Sequence, residues 1–156
     1  MTAPWSKDDA TNGEQIMSPQ AAGRYIRIVG CFSIIVAIIF AFAGVNDFTG
    51  ANEIFFQLAS SGGNGVAGLD TPEAKMAMAI AGGVFAGLMA MYVFITAPGI
   101  EQGSELIRKG TISTLLVWFA VDSGASVASG NAANVIPNSV FLIVYLAPLF
   151  LVKRAA

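Results

Sequence analysis

Asp122 is the residue whose type and surroundings point most directly to chemistry. It lies in Trp118-Phe-Ala-Val-Asp122-Ser123-Gly-Ala-Ser126-Val-Ala-Ser129-Gly130, an ionisable side chain within an otherwise apolar segment. Thr111, Thr114, Trp118, Asp122, Ser126 and Ser129 are spaced by three or four and so follow one side of a helix. Past a turn near residues 130–132, Asn134 and Asn138 are four apart and share a face. Folding this hairpin antiparallel brings Asn138 level with Ser126 and Asn134 beside Ser129. The candidate polar network is therefore Asp122, Ser126, Asn134 and Asn138, with Trp118 one turn away. Two chemistries fit it. One is a neutral hydrogen-bonding latch between two helices, worth about 1–2 kcal/mol. The other is a proton or cation site, because acids inside a membrane mark such pathways. With no His, Glu or Lys alongside to form a relay, the latch is the expected role.

These residues need helices to position them, and the apolar stretches supply four. The expected spans are 26–45, 76–97, 111–128 and 135–152, each near the roughly 20 residues that cross a bilayer. Asp122 then sits about 12 Å below the 130–132 turn at 1.5 Å per residue. Composition agrees. Of 156 residues 55% are hydrophobic and 12% charged, with a mean hydropathy of +0.69. Soluble domains are about 45–50% apolar and about 25% charged, so too little polar surface is available here to cover a globule. The expected fold is an all-α integral membrane protein, a four-helix transmembrane bundle with a short interfacial helix in the first outer loop. That helix is Ala51-Asn-Glu-Ile-Phe-Phe-Gln-Leu58, with Ile54, Phe55 and Leu58 on the membrane face and Glu53 and Gln57 toward water.

Close helix contact is expected at two small-residue faces. Ser33, Ala37 and Ala41 recur every four residues on the first span, and Gly83 and Gly87 do so on the second. Pro98-Gly99 is expected to close the second span. Residues 1–23 read as a flexible tail on the cytoplasmic side, with Trp5 as the feature that would anchor it to a partner, and 24–156 as the membrane domain. Ala41-Phe42-Ala43 before Gly44 matches a leader-cleavage pattern. Acidic residues ahead of Arg24 and the length of such a leader make a retained helix the expectation.

Charge orients the chain. Lys7, Arg24, Arg27, Arg108, Lys109, Lys153 and Arg154 fall on one side of the four spans and Lys75 on the other. Basic residues favour the cytoplasmic side, so both termini are expected there. The chain has no histidine, and its one cysteine, Cys31, lies in an apolar run and reads as a small buried residue. Haem, zinc and iron–sulfur centres lose their usual ligands, and no cofactor or metal is expected. Without a basic patch, nucleic acid is not an expected partner either.

The pattern Trp118-x-x-x-Asp122-Ser123-x-x-Ser126-x-x-x-Gly130 with Asn134 and Asn138, and the run Glu73-Ala-Lys-Met-Ala-Met-Ala-Ile-Ala-Gly-Gly83, resemble a group of small bacterial inner-membrane proteins. The resemblance covers 72–149, about half of the chain, and leaves out the tail. It implies a four-helix membrane fold and no particular activity. Lacking nucleophiles and metal ligands, the protein is expected to be non-catalytic. Its expected role is an accessory or structural subunit of a larger inner-membrane complex, or a homo-oligomer. The competing expectation is a small proton- or cation-coupled carrier or channel using Asp122.

Overall fold

Ser18 and Pro19 begin the first helix. The Ser18 hydroxyl accepts the Ala21 N–H at 3.2 Å, and Pro19 occupies the first turn, where a missing N–H does no harm. In the computed structural model, which describes residues 17–47, 49–61 and 69–153, every regular element is helical. α1 spans Pro19–Phe42 and α2 spans Ala51–Ala59. α3, Pro72–Met91, runs through a π turn, Tyr92–Thr96, into α4, Ala97–Glu101. α5 is Glu105–Ala128, and a 3-10 turn, Ala132–Asn134, leads into α6, Val135–Leu151. Among the described residues, four helical stretches are long and apolar enough to cross a membrane: Pro19–Phe42, Pro72–Glu101, Glu105–Ala128 and Ala132–Leu151.

Several expected boundaries shift. The first helix starts before residue 24, at Pro19, and Met17 ahead of it pairs with the far end of the chain. Its N–H donates to the Leu151 carbonyl at 3.0 Å, and its own carbonyl accepts from Lys153 N–H at 2.9 Å. Trp5 lies outside the described residues. Pro98 does not close the second span. In a regular helix its ring would press on the carbonyl four residues back. The π turn immediately before it widens the backbone, with the Ala97 N–H reaching the Tyr92 carbonyl, and the helix continues to Glu101.

The helices pack in the order α3–α1–α6–α5. α1 meets α3 where Gly82 faces Ala41: a Cβ on Gly82 would lie 2.7 Å from both Cα and N of Ala41. The backbones touch because neither residue carries bulk, and the close approach adds packing contacts along both helices. Ala37 is fully buried on the same helix, and Ser33 is buried with its hydroxyl on Tyr145 at 2.8 Å. Gly83 and Gly87 are a correction. Both are exposed, and a Cβ on either would meet nothing within 4 Å. At 100° per residue, the step from Gly82 to Gly83 turns the smooth face away from α1. Cys31 is likewise exposed, not buried. Between α3 and α5 an apolar groove of about 300 Å³ opens beside Leu88, Met91, Gly110 and Thr114.

α2 also turns differently from expectation. Phe55 and Phe56 pack on Phe40 of α1, with ring centroids 6.1 and 5.6 Å away, and Asn52 and Ala59 are buried. Ile54 and Leu58 remain exposed. Asp47 starts this helix from outside it. One carboxylate oxygen accepts from Asn52 Nδ2 at 3.0 Å and Thr49 Oγ1 at 3.2 Å, and the other from Glu53 N–H at 3.2 Å. A carboxylate at the positive end of a helix is well placed electrostatically.

Candidate functional site: a polar cluster between α5 and α6

Two i, i+4 pairs on antiparallel helices build the site. α5 presents Asp122 and Ser126; the 3-10 turn and the first turn of α6 present Asn134 and Asn138. Asp122 Oδ1 accepts from Asn138 Nδ2 at 2.9 Å, Asn134 Nδ2 at 3.1 Å and Ser126 Oγ at 3.4 Å. Asn134 Nδ2 also donates to Ser126 Oγ at 2.9 Å, and Asn138 Nδ2 to Ser123 Oγ at 3.3 Å. Asn138 and Ser123 are buried, while Asp122, Ser126 and Asn134 are half-buried. At the open end, Ser61 Oγ accepts the Ala133 N–H at 3.1 Å, tying the end of α2 to the turn beside the cluster.

The rest of the α5 polar stripe goes elsewhere. Trp118 is half-buried and makes no hydrogen bond with any described residue. Ser129 Oγ donates to its own helix at the Ser126 carbonyl, and Thr114 Oγ1 does the same to Gly110. Thr111 pairs with Thr96 in the π turn at 2.9 Å. One stripe thus meets two neighbours, because α5 borders the π turn near its start and α6 further along.

Ser123 is the member that the three-and-four spacing overlooks, since it sits one residue off the stripe. A second set of polar groups lies deeper along α6. Pro148 has no N–H to give the Val144 carbonyl, and Tyr25 OH donates there instead at 3.3 Å. Tyr92 OH donates to the Tyr145 carbonyl at 2.6 Å, and the two rings meet edge to face at 5.6 Å. The legible signal was Pro148 itself: a proline inside a helix strips a carbonyl, and tyrosine can bury a ring while reaching one. At the end near the termini, Arg27 pairs with Glu101 through both guanidinium nitrogens. Arg108 pairs with Glu105 at 2.9 Å and donates to the Leu149 carbonyl at 3.2 Å.

Family models, curated proteins and solved structures contain no match to this chain.

The chemistry open to the site is that of its own side chains. Among the described residues no three of His, Cys, Asp and Glu come together, and the residues bonded to Asp122 are amides and a hydroxyl. Such a cluster holds a helix hairpin, and it offers oxygens to a proton or a small cation.

Proposed function

We propose that this protein is a non-catalytic, multi-pass membrane subunit, an accessory or structural component of a larger complex, with the Asp122 cluster latching α5 to α6. The carrying observation is the exposure of α5. Only 11% of its most apolar window is buried within the chain, against 22–28% for the other three spans. That outward face holds Leu106, Val117 and Val121, with Ala120, Gly124 and Ala128 recurring every four residues. A Cβ on Gly124 would meet nothing within 4 Å. A small-residue face left unused inside the chain suits a helix of another subunit.

The cytoplasmic placement of both termini is supported by the seven-to-one distribution of basic residues. A bacterial inner membrane is supported by the resemblance carried by the 72–149 pattern. Ile54 and Leu58, exposed together on α2, support an interfacial position for that helix. Against a carrier or channel stands the packing below the cluster: Phe141 stacks on Tyr145 and approaches Phe85, between Asn138 and the next polar layer.

The test is a pair of substitutions on the outward face. Ala120→Leu with Gly124→Leu should release a stoichiometric partner from complexes purified in mild detergent, leaving the melting temperature of the isolated protein unchanged. A wild-type protein that purifies from its native membrane as a lone monomer would sink the subunit reading.

A further inference from the structure

The donors and acceptors of the Asp122 cluster do not balance. All three hydrogen bonds to the carboxylate land on Oδ1, and Oδ2 receives none from the described residues. Both asparagines turn their amide nitrogens inward to that one oxygen. Asn134 Oδ1 is consequently sealed from solvent and accepts no hydrogen bond. Exchanging the Asn134 amide atoms moves the problem without solving it: a sealed NH₂ would then lack acceptors, and its oxygen would face the carboxylate. Buried polar atoms are almost always satisfied, and each exception calls for a water, an ion or a functional cause.

A water or a cation satisfies an orphaned acceptor oxygen, and of the two only a cation also offsets the charge of a carboxylate beside it. Here the free lone pairs belong to a carboxylate, a carboxamide and nearby hydroxyls, an all-oxygen set of the kind hard cations prefer. With Asp122 as a carboxylate, in place of the neutral form expected of a latch without an ion, the set carries one negative charge and a single positive charge neutralises it. A divalent ion would leave an excess charge in apolar surroundings, at high cost. Hydrogen bonds of 2.9–3.3 Å from Asn134 and Asn138 to α5 hold the two sides of the cluster close, which favours a small ion.

We propose that the α5–α6 cluster is a sodium site, in which a bound monovalent cation takes Asp122 Oδ2 and Asn134 Oδ1 as ligands and locks the hairpin. This rests on the latch reading and adds to it the ligand that the latch takes.

The experiment melts the full-length protein in detergent, with sodium chloride replaced in steps by choline chloride at constant ionic strength. A roughly hundredfold rise in sodium above its dissociation constant should raise the wild-type Tm by about 5 °C. Potassium should give a smaller shift and choline none, and Asp122→Asn and Asn134→Leu should each abolish the sodium response. Should either variant fail to fold, binding of radioactive sodium to the wild type, displaced by excess unlabelled sodium and not by choline, reads the site directly. Equal melting in sodium and choline overturns the proposal, as does a sodium shift that survives in Asp122→Asn. A latch without a cation remains distinguishable: Asp122→Leu would then destabilise equally in both salts.

Discussion

α1 and α3 are joined by the removal of side chains, whereas α5 and α6 are joined by adding polar ones. At the first contact Gly82 lets the backbone of Ala41 approach within the reach of a single Cβ. At the second, Asp122 gathers donors from Asn134, Asn138 and Ser126. The first contact gains dispersion energy over a long, smooth surface and has no directional requirement. The second fixes the register and rotation of the hairpin, because hydrogen bonds fail within a few tenths of an ångström and some tens of degrees. Helices as little buried within the chain as these need both: one contact for strength and one for alignment.

The strongest way to break this contrast is at Gly82. Gly82→Leu forces α1 and α3 apart and should cost about 3 kcal/mol, at the upper end for overpacking. Its neighbour sharpens the point. Gly83→Ala and Gly87→Ala should leave stability unchanged or raise it by up to about 1 kcal/mol, since alanine is the better helix former and has open space there. Thermal melts of the variants in one detergent decide the matter, and equal losses at Gly82 and Gly83 would erase the distinction between the inward and outward faces.

At the polar contact the expected loss is somewhat smaller. Asp122→Leu strips the acceptor from both asparagines and should cost about 1–3 kcal/mol. In sodium-free buffer, Asp122→Asn, which keeps an acceptor oxygen of the same size, should cost less than half as much. If leucine is tolerated as well as asparagine, the cluster aligns nothing.

Smaller still is the expected effect at the loop between α1 and α2. Burial pushes the Asp47 carboxyl up, but donors from Asn52, Glu53 and Thr49 outweigh it and hold it below its ordinary value. A folded value below the unfolded one, about 3.9, makes the contribution complete above about pH 4 and lost as pH falls through the folded value. Hydrogen exchange in α2, corrected for intrinsic rates, should therefore quicken on acidification in wild type and not in Asp47→Asn. Protection that grows as pH falls would reverse the sign.

The four apolar helices were determined by sequence alone, because length and hydropathy of a span are local properties. The residues of the polar cluster could be named from their spacing, but their register could not: Asn134 meets Asp122 and Ser126 rather than Ser129, and Asn138 meets Asp122 and Ser123 rather than Ser126, because the 3-10 turn before α6 shifts the depth that a uniform 1.5 Å rise assigns. Tertiary structure decided what depends on helix rotation and on partners distant in the chain. Gly82 faces α1 and Gly83 does not, a difference of one residue that no spacing rule resolves when both are glycine. Arg27 meets Glu101 across 74 residues, and Tyr25 reaches Val144 across 119. A π turn carries the helix through Pro98, where the sequence reads as a stop. Each is a choice among nearly equal local conformations, and only the packed arrangement separates them in energy.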